Sequence, residues 1–105
     1  MNKTEKAVNN SIIEKEWEKA KQEIDHKCGT RLRTCTAWVY ETKDYYFLRS
    51  YNTTVAFIDK TTDICYDVLR LVYGYTATSA QHISKFDHDY GQGKWGCKER
   101  KTWMP

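Results

Sequence analysis

Apolar positions change their period several times along this chain. Ile13, Trp17, Ala20, Ile24 and Cys28 recur every three or four residues, with Glu14, Lys15, Glu16, Glu18, Lys19, Lys21, Glu23 and Asp25 between them. That is the stripe of an amphipathic helix, predicted over residues 12–27. Ser11 with Glu14 has the spacing of a capping box at its start, and Gly29 is placed to close it. From Thr34 the period becomes two: Cys35, Ala37 and Val39 alternate with Thr36, Trp38 and Tyr40. Lys43-Asp44 is a polar turn, after which Tyr46 and Leu48 oppose Tyr45, Phe47 and Arg49. Tyr51-Asn52 punctuates before a third run in which Val55 and Phe57 oppose Ala56 and Ile58, and residues 59–63 form another polar turn. The stretch ICYDVLRLVYGY fits either period; its β-branched and aromatic content favours a strand. Finally Ala80, Ile83, Phe86 and Tyr90 make a helical stripe over 79–90, with Thr78 and Gln81 as a capping box and Gly91 as a left-handed stop.

These elements predict a single α+β domain spanning residues 1–105: an N-terminal helix, a four-stranded antiparallel meander, a C-terminal helix and an irregular basic tail, with the helices covering one face of the sheet. Residues 1–10 read as a frayed end. At 105 residues there is room for one modest core. Much of it must come from four Trp, eight Tyr and three Phe, each burying on the order of 150–250 Å². Tyr40, Tyr45, Tyr51, Tyr73 and Tyr75 are too many to hide in so small a body, and some are expected at the surface.

Charge sharpens the picture at the C-terminus. From Gly91 onward Lys94, Lys98, Arg100 and Lys101 stand against Glu99 alone, and the rest of the chain is neutral. Lys27, Arg31 and Arg33 form a second basic cluster. Trp95 and Trp103 interleave with the tail's cations, a mixture that can stack on bases and contact phosphates, or can serve as a strap whose tryptophans plug gaps. No run of apolar residues approaches a membrane span and no secretory leader is visible, so a cytoplasmic protein with reduced cysteines is expected.

No strong catalytic or metal signature emerges. His26, Cys28 and Cys35, with His82, His88 and Cys97 distant, lack the paired spacing of structural zinc. Asp87, His88 and Asp89 are consecutive on a helix and point about 100° apart. Cys65 or Ser79 can be combined with His82 and Asp67 on paper, but no nucleophile elbow, Walker loop or dinucleotide fingerprint is present. No cofactor or metal is expected. The most particular stretch is Tyr73–Tyr90, where Tyr73, Tyr75, Thr76, Thr78, Ser79 and His82 crowd hydroxyls and an imidazole around a helix N-terminus. His82 lies one position off the apolar stripe, at the edge of the core.

Two segments, LRSYNTTVAFID (Leu48–Asp59) and GYTATSAQHISKF (Gly74–Phe86), resemble a family of short uncharacterised proteins from phages and mobile elements of Firmicutes. Those proteins carry a SYNT-x-V strand and a Y-S-x-T-T-x-x-H-I-x-x-F helix start. Ser50, Tyr51, Asn52, Thr53 and Val55 match the first, and Tyr75, Thr78, His82, Ile83 and Phe86 the second, with Thr76 and Ser79 as hydroxyl-preserving departures. The resemblance covers about residues 45–90 and implies a phage or prophage accessory protein.

The resulting expectation is a non-enzymatic binding protein of the anti-CRISPR type, inhibiting a host defence nuclease in the host cytoplasm. Its contacts would be Arg49, Tyr51, Asn52, Tyr73, Tyr75, Thr76, Thr78, Ser79, His82, Lys94, Trp95, Lys98, Arg100, Lys101 and Trp103. The alternatives are a small nucleic-acid-binding protein of phage replication or regulation, and a small enzyme using His82.

Overall fold

The structure is a computed structural model, and it describes residues 3–23, 29–31, 37–51 and 53–105. Helix α1 (Lys3–Ala20) leads through a 3-10 turn (Lys21–Glu23) to β1 (Gly29–Arg31), β2 (Ala37–Glu41), β3 (Tyr45–Ser50), β4 (Thr53–Asp59) and β5 (Ile64–Asp67). A short helix α2 (Leu69–Val72), helix α3 (Ala77–Tyr90) and strand β6 (Glu99–Thr102) complete the chain. The expected α+β architecture is present, with the strands in sequence order across one sheet. The meander β2–β3–β4–β5 is antiparallel throughout.

Alternation along the strands builds two cores, one on each face. Tyr45 and Phe47 of β3 join Tyr40, Phe57, Tyr66 and Val68 beneath Ile13 and Ala20 of α1. Leu48 lies with Ala37, Val39, Ala56, Ile58 and Cys65 against Ile83 and Phe86 of α3. The helices therefore sandwich the sheet, where the sequence pattern put them on one side. Period alone states that a helix has an apolar face; it does not say which side of the sheet that face meets.

The register shifts between Leu48 and Arg49, so that Leu48 pairs Ala56 while Arg49 pairs Thr54. This bulge parts Val55 from Phe57, with which the alternation grouped it, and puts it in the α3-side cluster beside Ala56.

Several boundaries differ from expectation. Helix α1 starts at Lys3, so residues taken as frayed are helical and the Ser11–Glu14 pair lies inside the helix. Contacts made by the other chain end accompany that extension: Trp103 Nε1 donates to Glu14 Oε1 (3.0 Å), and Met104 N to Asn10 Oδ1 (3.1 Å). At its far end the α-helix stops at Ala20; Ile24, Lys27 and Cys28, with His26, lie outside the described residues. Gly29, expected to stop a helix, opens β1 instead. Cys35 and Arg33 are also outside the described residues, and of Arg31 only the backbone is described. The ambiguous stretch uses both periods in turn: after β5, Asp67 Oδ1 accepts from Leu69 N (3.0 Å) and the backbone turns into α2.

The C-terminal tail is not irregular. Its strand β6 runs parallel to β5, pairing Ile64 with Glu99 through Asp67 with Thr102. The connecting loop is held by one buried and one partly buried carboxylate. Asp63, 3% exposed, accepts from Gln92 N (2.9 Å) and Lys98 N (3.0 Å), and Asp87 Oδ1 accepts from Cys97 N (2.8 Å). Gly91 is not a left-handed cap, since its φ and ψ are −70° and 151°. It is needed for close approach: a Cβ there would lie 2.1 Å from Cys97 N.

Candidate functional site

Beneath the β3–β4 turn a cavity of about 160 Å³ opens, lined by Ser50, Tyr51, Thr53, Val55, Tyr73 and Ser79. Each wall has a local origin. Ser50 follows Leu48 by two residues and so faces α3, where it is 3% exposed. Tyr51 makes the turn with φ at 55°, a left-handed value that non-glycine residues adopt uncommonly. The bulge turns Val55 inward.

The opposite wall comes from the start of α3. The N-cap is Thr76, whose Oγ1 accepts from Ser79 N (3.2 Å), rather than Thr78. Capping two residues earlier puts Ser79 in the first turn with its side chain buried, while Thr78 faces solvent. One turn later His82 is 6% exposed, deeper than the core edge at which its spacing placed it. Ser50 Oγ then lies 2.9 Å from Ser79 Oγ and 2.9 Å from His82 Nδ1, making a buried Ser79–Ser50–His82 relay. The Tyr51 ring lies beside the imidazole, tilted 46° to it with centroids 6.2 Å apart.

Burial lowers the pKa of His82 from its ordinary 6.5, so the ring is neutral at pH 7. As pH falls, the unfolded chain takes up its proton first. The stability contributed by the neutral buried ring is thus complete above about 6.5 and is lost on acidification below it. The melting temperature should fall between pH 7 and pH 5 more steeply in the native protein than in His82→Gln. Equal slopes in the two proteins would show that His82 is not the titrating group.

Tyr51 and Tyr73, on the cavity's lining, are 50% and 68% exposed, and Tyr75 is 58% exposed. Tyr40 and Tyr45 are buried, at 3% and 2%. Arg70 lies over the Tyr75 ring at 4.7 Å.

Of the expected contact residues, Tyr51, Tyr73 and Ser79 therefore line one opening. His82 reaches it through Ser50 and Thr76 caps the helix turn that carries Ser79, while Tyr75 is exposed two residues beyond Tyr73. Asn52 lies outside the described residues. Arg49 is on the other face, its guanidinium 4.7 Å from the Trp38 ring and 5.4 Å from that of Tyr40. The tail residues do not join the cavity either. Arg100 lies near Asp67 (3.6 Å) and Asp87 (3.7 Å), and Lys101 pairs with Glu99 (3.0 Å). Lys98 uses its backbone N–H on Asp63. Trp103 is half-buried against the α1-side core, as a strap would have it, whereas Trp95 is 81% exposed beside Lys94. Ser50, Thr53 and Val55 were absent from the expected contacts. The signal for Ser50 was its parity with Leu48; Val55 had none, because a bulge decides its side.

The paper triad does not assemble. Asp67 is engaged by Leu69 N and Arg100, and Cys65 is fully buried in the α3-side core. Its neighbour Cys97 is held strongly in the protonated form, first by a hydrogen bond with Cys65, then by burial and by Asp87. Among the described residues no group of three His, Cys, Asp or Glu is placed to hold a metal ion, and no helix is long and apolar enough to cross a membrane.

No curated protein and no solved structure matches this chain. The cavity and both cores lie within residues 2–103, which match the model of a family of unknown function, DUF8033, and the chain belongs to that family.

Proposed function

We propose that this protein works by binding, through the tyrosine-rimmed opening at the start of α3, and that its partner is a host defence nuclease complex it inhibits. The observation that carries the binding reading is the exposure of Tyr51 and Tyr73 on the lining of one cavity, with Tyr75 exposed two residues further along the chain. Tyrosine and arginine are enriched among the residues that anchor interfaces. The nature of the partner is supported by the resemblance to short phage and mobile-element proteins.

The test is a plasmid-interference assay in bacteria whose CRISPR nuclease targets the plasmid. Expression of the native protein should restore transformation. The combined Tyr51→Ala, Tyr73→Ala and Tyr75→Ala variant should lose that protection while melting within a few degrees of the native protein, since each anchor contributes about 1–2 kcal/mol to binding. Protection unchanged in the variant would remove the rim from the interface.

A second reading, direct nucleic-acid binding, is favoured by one feature, the exposed Trp95 with Lys94 Nζ 6.0 Å from its ring. Affinity for single-stranded DNA that fell steeply with salt and vanished in Trp95→Ala would move the function there.

A further inference from the structure

Resting on the binding reading above, we infer that the cavity receives the ring of a single tyrosine from the partner protein. Size sets the first limit. A dry protein cavity of about 150 Å³ accommodates benzene, so the space of about 160 Å³ here holds one six-membered ring. Chemistry sets the second. The rings of Tyr51 and Tyr73 and the side chain of Val55 form apolar walls, which suit the face and edge of another aromatic ring. Polar groups concentrate where Ser50 and Ser79 meet, 2.9 Å apart, with His82 behind Ser50.

Hydroxyl hydrogens rotate, so this relay can present either a donor or an acceptor to the cavity. A flat ring with one polar tip that both donates and accepts is a phenol. Charge sets the third limit. Arg70, three residues before Tyr73, lies over the Tyr75 ring, and away from the cavity Arg100 and Lys101 of the tail are matched by carboxylates. A nucleic acid needs cations for its phosphates beside any base pocket. A single arginine already seated on a tyrosine ring is too little for a phosphate chain, and the exposed aromatic lining fits a protein segment instead.

The probes are p-cresol, toluene, adenosine and the capped tripeptide acetyl-Gly-Tyr-Gly-amide, each titrated into the full-length 15N-labelled protein. The tripeptide and p-cresol should both shift the amide signals of Ser50, Thr53 and Ser79. The tripeptide should bind more tightly, because its flanking backbone reaches the rim. Toluene should bind about tenfold or more weakly than p-cresol, since it leaves the relay's hydrogen bond unmade. Ser79→Ala should narrow that preference, and Thr53→Phe should close the cavity to every probe.

Toluene and p-cresol binding equally would remove the polar anchor and overturn the inference. Tighter binding of p-cresol than of the tripeptide would make the ligand a free phenol, and tighter binding of adenosine would make it a base; both overturn it. If no probe binds, the inference fails on its own. The interference assay still judges the binding reading, because that assay is read from the rim tyrosines.

Discussion

Phe57→Ala is expected to remove roughly 3–5 kcal/mol of stability, the usual cost of truncating a fully buried phenylalanine. Phe57 is 0% exposed and lies at the centre of the α1-side core. Its ring stacks on Tyr66 (centroids 4.7 Å, 15°) and on Trp17 of α1 (5.6 Å, 25°), meets Tyr45 edge-on (5.9 Å, 74°) and contacts Phe47 (6.3 Å). Such pairs add about 0.5–1.5 kcal/mol each beyond buried area, so truncation leaves a cavity and also strips four rings of a partner. With a total stability of about 5–15 kcal/mol for a domain of this kind, the loss is a large share. Denaturant unfolding checks it, with Phe57→Leu as a control expected to lose less because more of the cavity stays filled. A loss below about 1.5 kcal/mol for Phe57→Ala would mean that the surrounding rings collapse into the gap.

The second large effect is expected at Asp63, and its mechanism is polar. Asp63 stands at φ 56° in the turn after β4, 3% exposed, with one carboxylate oxygen on Gln92 N and the other on Lys98 N. The single side chain thus joins the β4–β5 turn to both ends of the loop between α3 and β6. Hydrogen bonds to a charged acceptor contribute about 1.5–3 kcal/mol each. Asp63→Ala removes both and places alanine in a conformation where aspartate is better tolerated. A loss of about 3 kcal/mol or more is expected. Asp63→Asn should lose less, since it keeps one acceptor and favours the left-handed turn. Hydrogen exchange gives the specific readout: amides of residues 91–103 should lose protection in Asp63→Ala before those of β2–β4 do. Uniform loss across the sheet would show that the loop and the sheet open together.

The same residues explain the limits of a reading by pattern. The stripe of Ile13, Trp17 and Ala20, the alternation of Tyr45 to Arg49 and the stripe of Ala80, Ile83 and Phe86 were all legible, and each became an element facing its core. Cap and boundary residues were less so. Thr76 and Thr78 offer the same hydroxyl two positions apart, and burial of Ser79 and His82 selects the first. Exposure of particular tyrosines was not legible either: Tyr40 and Tyr73 were both expected on strands, yet one is 3% exposed and the other 68%.

The order of elements, the helical and two-residue periods and the crowding of hydroxyls before α3 follow from neighbours along the chain, because propensity and amphipathicity act over a few residues. Contacts between remote segments decided everything else. The parallel addition of Glu99–Thr102 to Ile64–Asp67 joins strands 35 residues apart. The bulge that turns Val55 inward arises only when β3 meets β4. The body's aspartates engage the tail's Arg100 and its loop backbone. Ser50 and His82 meet across the sheet–helix junction only because the strand face and the helix face are packed together, and that packing creates the cavity between them.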